Sequence, residues 1–479
     1  MSGIIKKQLK RFSGVDVNLF IFGLSLHFLL LFLAPNKPFY FFSFFLTYFI
    51  FLNYFKSIAK ALVFVVILAI FSDISLGAAF FRLEPASLNM GSGWWISSLT
   101  VFVPFLALVS YKKRLRKFET ADLALFAFFV WSGISFYVNI SHNSFIGLIQ
   151  LFEMAALYYL LRLNLSEKDL PQVRILLIFM LLFQSLIALL QFFFRHPLGL
   201  VLESVLFYNP AGITAVENIN LFRVTAAFGH PNAFAAFLLS VFPLLLHYPH
   251  KSQWMTLAKI MVLLVLIFTF SRIAWIVLIT VYLLLIPISP FSRNYYWFKK
   301  KAWLNKKVLI SAVALFFSLY ILSPYFFSRV NTSPVSLDEF GSMGIRVKLD
   351  IEAFNLISKN YIFGTGLNRS LETYALYPVT NIFESEQPGA FYKIHNTFLE
   401  IASETGLPGL LLFLLFLGSV VRNMQKRTET DDIGLAVYAG LLGLIVISYV
   451  NPFFHTGQMK TLFLLIVMLL VYNKPQYET

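Results

Sequence analysis

Trp254 to Ile288 reads WMTLAKIMVLLVLIFTFSRIAWIVLITVYLLLIPI, one apolar run of 35 residues. At about 1.5 Å per residue, a single helix of that length exceeds about 50 Å, against a hydrocarbon core of about 30 Å. The run must therefore turn back on itself. Between Met261 and Ser292 its only charge is Arg272, within Thr269-Phe-Ser-Arg-Ile-Ala-Trp275. An arginine at the bilayer centre is costly, whereas a hairpin tip reaches the interface, so the reversal belongs there.

The rest of the chain fits a membrane setting. Of its 479 residues, 58% are hydrophobic and 13% charged, with 56 Phe and a mean hydropathy of +0.76. These values exclude a soluble globular protein and point to an all-α polytopic membrane protein. With no Cys, there is no disulfide framework, thiol nucleophile or Cys zinc site. The net charge of +15 reads as Lys and Arg of cytoplasmic loops rather than a nucleic-acid surface. Lys6, Lys7, Lys10 and Arg11 precede a long first apolar run without a convincing cleavage site, so that run is expected to remain as a helix.

Apolar runs near 17–34, 39–55, 58–78, 94–110, 121–139, 145–163, 173–194, 232–248, 254–270, 273–288, 308–323, 395–421, 433–450 and 459–472 suggest 12–14 membrane helices in one integral domain, 1–479. With the N-terminus inside and alternation thereafter, 26 basic residues fall inside and 12 outside. Six of those 12 lie in one long outer loop, where the positive-inside rule has little force. Both termini are then cytoplasmic, and 195–231 and 324–394 are outer loops. A single span over 254–288 would flip the later parity and send the Lys299–Lys307 cluster outward. Within 324–394, which lies between the eleventh and twelfth expected helices, Ile345, Leu349, Ala353, Leu356 and Ile357 recur at helical spacing. They predict an amphipathic helix over 344–359.

The residues that can carry chemistry collect at the outer side. His395-Asn396 closes the long polar segment and opens the strongly apolar 407–421. A histidine titrates near neutrality and can take a proton from a sugar hydroxyl; it can equally orient that hydroxyl or cap a helix. Asn396 can hold His395 or bind sugar. Glu400 and Glu404 lie one and two turns below on the same face and would be expensive facing lipid, so they are expected to turn to the bundle interior, to orient His395, pair with an arginine or contact substrate. Arg272 is either an interfacial snorkel or a bidentate phosphate clamp. Arg346, in the first turn of the amphipathic helix, is either an ordinary exposed arginine of such a helix or a second phosphate contact. Arg223 and His230-Pro-Asn232 precede an outer helix start; each is a substrate contact or a cap and anchor. Glu153 sits mid-helix without an assignable partner. No H-E-x-x-H or other close ligand pair is present and no metal site is assigned; no G-x-S-x-G supports a serine hydrolase.

Residues 395–409 read H-N, nine residues, G, two residues, G. This pattern resembles the signature of the bacterial O-antigen ligase family, whose superfamily includes polysaccharide polymerases. Arg272, Arg346 and His395 follow that family's order, and Phe228-Gly-His-Pro-Asn232 and Phe363-Gly-Thr-Gly366 look like further family features; the likeness covers about 220 to 420. It implies a GT-C-type membrane glycosyltransferase without a cofactor. Such an enzyme moves a glycan from an undecaprenyl-diphosphate carrier to an acceptor hydroxyl, such as that of lipid A-core, outside the bacterial inner membrane. The implied reaction is inverting and metal-independent, with His395, Arg272 and Arg346 catalytic. A polymerase joining lipid-linked repeat units is the nearest alternative, since fourteen expected helices exceed the dozen or so typical of ligases. A lipid-linked oligosaccharide flippase would call for a charged path across the bilayer and internal symmetry. A non-catalytic sensor would leave His395 replaceable.

Overall fold

A computed structural model describes residues 14–33, 37–70, 98–111, 113, 118–199, 212–216, 219–228, 230–248, 253–279, 342–382, 393–425, 432–454 and 457–472. These residues are mostly helical. The first seven helices are α1 (Gly14–Leu33), α2 (Lys37–Phe55), α3 (Ile58–Ile70), α4 (Ser98–Ser110), α5 (Thr120–Val138), α6 (His142–Asn164) and α7 (Leu170–Phe194). Then come β1 (Gly212–Val216), β2 (Ile219–Arg223), α8 (Pro231–Leu246), α9 (Gln253–Phe268) and α10 (Arg272–Ile279). The chain continues with α11 (Ser342–Lys359), α12 (Ser370–Leu376), α13 (Thr397–Gln425), α14 (Asp432–Ser448) and α15 (Gly457–Tyr472). The expected span at 308–323, the outer parts of 58–78 and 273–288, and the Lys299–Lys307 cluster lie outside the described residues.

Four helical segments among the described residues are long and apolar enough to cross a membrane: Thr120–Val138, His142–Asn164, Glu167–Phe194 and Thr397–Asn423. Eight further apolar helices are shorter. α5 shows why lipid is the solvent. Leu123, Phe126, Val130, Ile134 and Tyr137 form an exposed stripe at three- and four-residue spacing, while Leu125, Phe128, Ser132 and Ser135 are buried. Water would penalise that stripe; hydrocarbon does not.

The Trp254–Ile288 run breaks at Thr269–Ser271, between α9 and α10, where Phe270 takes a left-handed φ of 48°. Segment 195–231, expected as plain loop, contains an antiparallel hairpin pairing Gly212 with Arg223 and Val216 with Ile219. α11 covers the stretch expected as an amphipathic helix; Leu349, Ala353 and Leu356 are buried, while Val347, Ile351 and Phe354 are exposed apolar residues. With Tyr374, Ile382 and Ile394 they form a small core of their own, packed over the start of α13. Glu153 finds a partner after all: Lys460 on α15 lies 3.6 Å away.

The expected helix over 395–421 departs most from the structure. It starts at Thr397 and is broken at Gly406, with φ 76° and ψ 174°. The break frees carbonyls that neighbours then satisfy. Thr365 N–H donates to Ser403 O (2.8 Å), Gly366 N–H to Glu404 O (3.1 Å), and Leu407 N–H to Tyr361 O (2.8 Å). From α5, Trp131 Nε1–H donates to Thr405 O (2.8 Å). Ser135 Oγ lies 2.6 Å from Phe363 O and 2.9 Å from Glu404 O, sharing one proton between them. The Trp131 ring stacks on Phe363 at 5.4 Å.

The glycines follow from this closeness. A Cβ on Gly406 would sit 2.0 Å from Ile362 O, and one on Gly364 (φ 67°) 2.5 Å from Glu404 O. Gly406→Ala is therefore expected to cost more than about 2 kcal/mol, combining left-handed strain with a backbone clash. Gly133→Ala and Gly418→Ala, whose Cβ positions meet nothing within 4 Å, should be neutral or slightly stabilising. Thermal unfolding of the detergent-solubilised variants checks both; an unchanged midpoint for Gly406→Ala would overturn the reading.

Candidate functional site

The site is built outward from the start of α13. Asn396 is the cap: its Oδ1 accepts from the N–H groups of Phe398 (3.0 Å) and Leu399 (3.2 Å). Thr397 Oγ1 donates to Asn451 O (2.6 Å) and accepts from Phe453 N–H (2.9 Å), pinning this end to the turn between α14 and α15. His395 stands just before the cap, half-buried. Its Nδ1 lies 2.7 Å from Lys393 O. A carbonyl only accepts, so Nδ1 carries the proton in the neutral ring, and the lone pair is on Nε2. Burial, then the charge of Arg346, lowers its pKa to about 4, the Lys393 carbonyl opposing. The imidazole is uncharged at neutral pH, with its basic lone pair on Nε2.

Glu404 and Glu400 are held by the chain itself. Glu404 Oε2 accepts from Asn368 N–H (2.7 Å) and Oε1 from Ser370 Oγ (2.9 Å), so it ties the 364–370 turn to α13. Glu400 Oε2 accepts from Phe454 N–H (3.2 Å), and Oε1 lies 4.0 Å from Lys393 Nζ. Both are buried. Considered from sequence as substrate contacts, Asn396, Glu400 and Glu404 are seen here positioning the loop and helix around His395.

A second group approaches from the β-hairpin. Arg223 Nε donates to Thr269 O (2.9 Å) and Nη2 to Asn232 Oδ1 (3.3 Å), while Val224 N–H donates to Phe268 O (3.3 Å). The end of β2, the first turn of α8 and the turn that launches Arg272 are thus one bonded unit. His230 caps α8, its Nδ1 accepting from Asn232 N–H at 3.1 Å.

The charges of the two groups act on one another. Arg346 is lowered from its ordinary value by burial and then by the charge of Arg272, with Asp350 opposing. Asp350 is raised, because burial outweighs the attraction of Arg346. His230 is lowered to about 3, by desolvation first and then by Arg223, His395 and Arg346. Its side chain is exposed, with Arg223 and Arg346 as the neighbouring permanent charges. Arg346, partly buried, is thus coupled to Arg272, to Asp350 and to both imidazoles, and Arg223 to His230. That arrangement suits an anion with several oxygens. No group of three or more His, Asp or Glu placed to hold a metal occurs among the described residues.

Sequence reasoning passed over the supports on α5. Trp131, Ser135 and Asn139 recur every fourth residue on one face, and Asn139 Nδ2 donates to Gly364 O at 3.3 Å. Polar groups at that spacing in an apolar helix were the available signal. Lys393, which reaches Asn368 Oδ1 at 3.3 Å, gave none.

Fold and site together define a multi-pass membrane protein with a cation-rich, imidazole-bearing site beside a broken helix. Residues 257–414 match the family model described as O-antigen ligase, so this region is similar to that family. The family's function is of ligase or polymerase type. The match spans about a third of the chain and takes in Arg272, Arg346, His395 and Gly406, leaving Arg223, His230 and Asn232 outside it. No curated protein matches the chain.

The low pKa of His395 has a direct test. Carbethoxylation requires the neutral ring, so its rate at His395, followed by site-resolved mass spectrometry and corrected for reagent hydrolysis, should stay flat from about pH 7 to pH 5 and fall only towards about 4. A midpoint near 6.5, the value of a free imidazole, would contradict the described environment.

Proposed function

We propose that this protein is a membrane glycosyltransferase of the O-antigen ligase type. It moves a glycan from an undecaprenyl-diphosphate carrier to an acceptor hydroxyl, such as one on lipid A-core, at the outer face of the bacterial inner membrane. The observation that carries this reading is a chain of charge: Arg272 acts on Arg346, and Arg346 on a neutral His395 whose Nδ1 is claimed by the Lys393 carbonyl, leaving the lone pair on Nε2.

The chemistry follows from those groups. The Nε2 atom accepts the proton of the acceptor hydroxyl as its oxygen bonds to the anomeric carbon. The bond from that carbon to the diphosphate oxygen breaks, and its electron pair leaves with the lipid diphosphate. Arg272 and Arg346, assisted by Arg223, stabilise the charge that builds there. Attack opposite the leaving group inverts the anomeric centre. The orientation is supported by the far end of the bundle. At the start of α5 and end of α6, Arg162 pairs with Glu119 at 2.6 Å; nearby, Lys60 pairs with Asp169 and Lys113 Nζ donates to Asn164 Oδ1 at 2.8 Å. The candidate site is at the opposite ends of α5 and α6, as a cytoplasmic basic side requires. A polymerase would use the same groups with a second lipid-linked glycan as acceptor.

The test is transfer by the purified full chain from an undecaprenyl-diphosphate-linked glycan to lipid A-core or to a second donor molecule, with EDTA present. Wild type should transfer. His395→Ala should lose about 10²- to 10⁴-fold in rate, and Arg272→Ala and Arg346→Ala should lose comparably. The acceptor that works separates ligase from polymerase. Transfer unaffected by His395→Ala would refute the assignment, and transfer abolished by EDTA would refute its metal independence.

A further inference from the structure

We infer that His230 is an uncharged hydrogen-bond donor to a phosphate oxygen of the lipid-linked substrate, acting through Nε2–H; this rests on the glycosyltransferase reading above. The inference begins with the helix cap. The backbone N–H of Asn232 can only donate, and it points at His230 Nδ1, 3.1 Å away. Nδ1 must therefore present its lone pair, and the neutral ring carries its single proton on Nε2. His395 is arranged the other way, since a carbonyl claims its Nδ1 proton. Two imidazoles in one electrostatic neighbourhood thus hold opposite tautomers. One offers a lone pair suited to a hydroxyl; the other offers an N–H suited to an anion.

Capping alone does not explain a histidine here. Asn, Ser or Asp satisfies the start of a helix well with a shorter side chain. What a ring adds is a second nitrogen, held beyond the cap and open to solvent beside Arg223, Arg346 and His395. The cap also fixes the charge state. Protonating Nδ1 would set two donors face to face, and the neighbouring cations oppose it further. His230 thereby contributes a hydrogen bond without adding another positive charge beside Arg223, Arg272 and Arg346. Three guanidiniums already attract the diphosphate, and a further cation would hold the departing lipid diphosphate more tightly than turnover allows.

The distinguishing experiment separates cap from donor. The full chain in nanodiscs is assayed for binding of undecaprenyl diphosphate and for glycan transfer. His230→Asn and His230→Ser keep a good cap and remove the distal donor. His230→Gln places an amide N–H near the position of Nε2. The two capping variants should keep the wild-type thermal midpoint and lose about tenfold or more in undecaprenyl-diphosphate affinity, as expected for a hydrogen bond to a charged acceptor. Transfer kcat/KM should fall with it, and His230→Gln should recover part of both. His395→Ala should bind the lipid diphosphate normally while failing to transfer. Binding and transfer within about twofold of wild type in His230→Asn or His230→Ser would reduce His230 to a cap and overturn the inference. A wild-type protein that neither binds undecaprenyl diphosphate nor transfers glycan would instead bring down the parent reading, and this one with it.

Discussion

A broken helix inside a membrane leaves polar backbone exposed to a medium that cannot solvate it, at several kcal/mol per unsatisfied group. The break at Gly406, within a helix long and apolar enough to span, creates this condition, and much of the surrounding architecture answers it. The carbonyls of Ser403, Glu404 and Thr405 are each met by a specific donor, from the 365–366 backbone or from α5. The turn after α11 cannot lie elsewhere without abandoning them. Because that turn continues directly from α11, its docking helps hold α11 over α13, where the charge of Arg346 acts on His395. Backbone satisfaction is thus part of what sets the geometry of the site.

The electrostatics follow from the same enclosure. Three guanidiniums and two imidazoles in a partly buried space cannot all carry charge cheaply. Arginine stays protonated under any ordinary condition, so the imidazoles give way. Each ring is also held in one tautomer by a backbone group that admits no alternative. The site is thus assigned its acids and bases by main-chain geometry, with the side-chain charges reinforcing the choice.

Much of this was legible in the sequence. The 35-residue run at Trp254 forced a reversal by length alone, and Arg272 marked it. The spacing of Leu349, Ala353 and Leu356 gave α11 within two residues of its bounds. What stayed hidden depends on partners distant in the chain. Gly406 and Pro408 lie in an apolar stretch that reads as one continuous span, and only the approach of the Ile362 carbonyl explains the turn between them. Glu400 and Glu404 looked like groups awaiting a substrate because their donors, Phe454, Asn368 and Ser370, come from other segments. The β1–β2 hairpin escaped because its strands are short and neither alternates cleanly. Tautomers are invisible to sequence, since they depend on which atom faces which.

The location of the partners of the break also bears on biogenesis. Trp131, Ser135 and the 361–366 turn all precede Gly406 in the chain. A polypeptide made from its amino end therefore has every group that satisfies the kink before the kink itself enters the bilayer. The opposite end of the same half-helix, Thr397 and Glu400, waits for Asn451, Phe453 and Phe454, which are made later. Insertion can thus proceed without a stage at which an interrupted helix stands alone in lipid, and the candidate site is completed only when the last two helices arrive to close it.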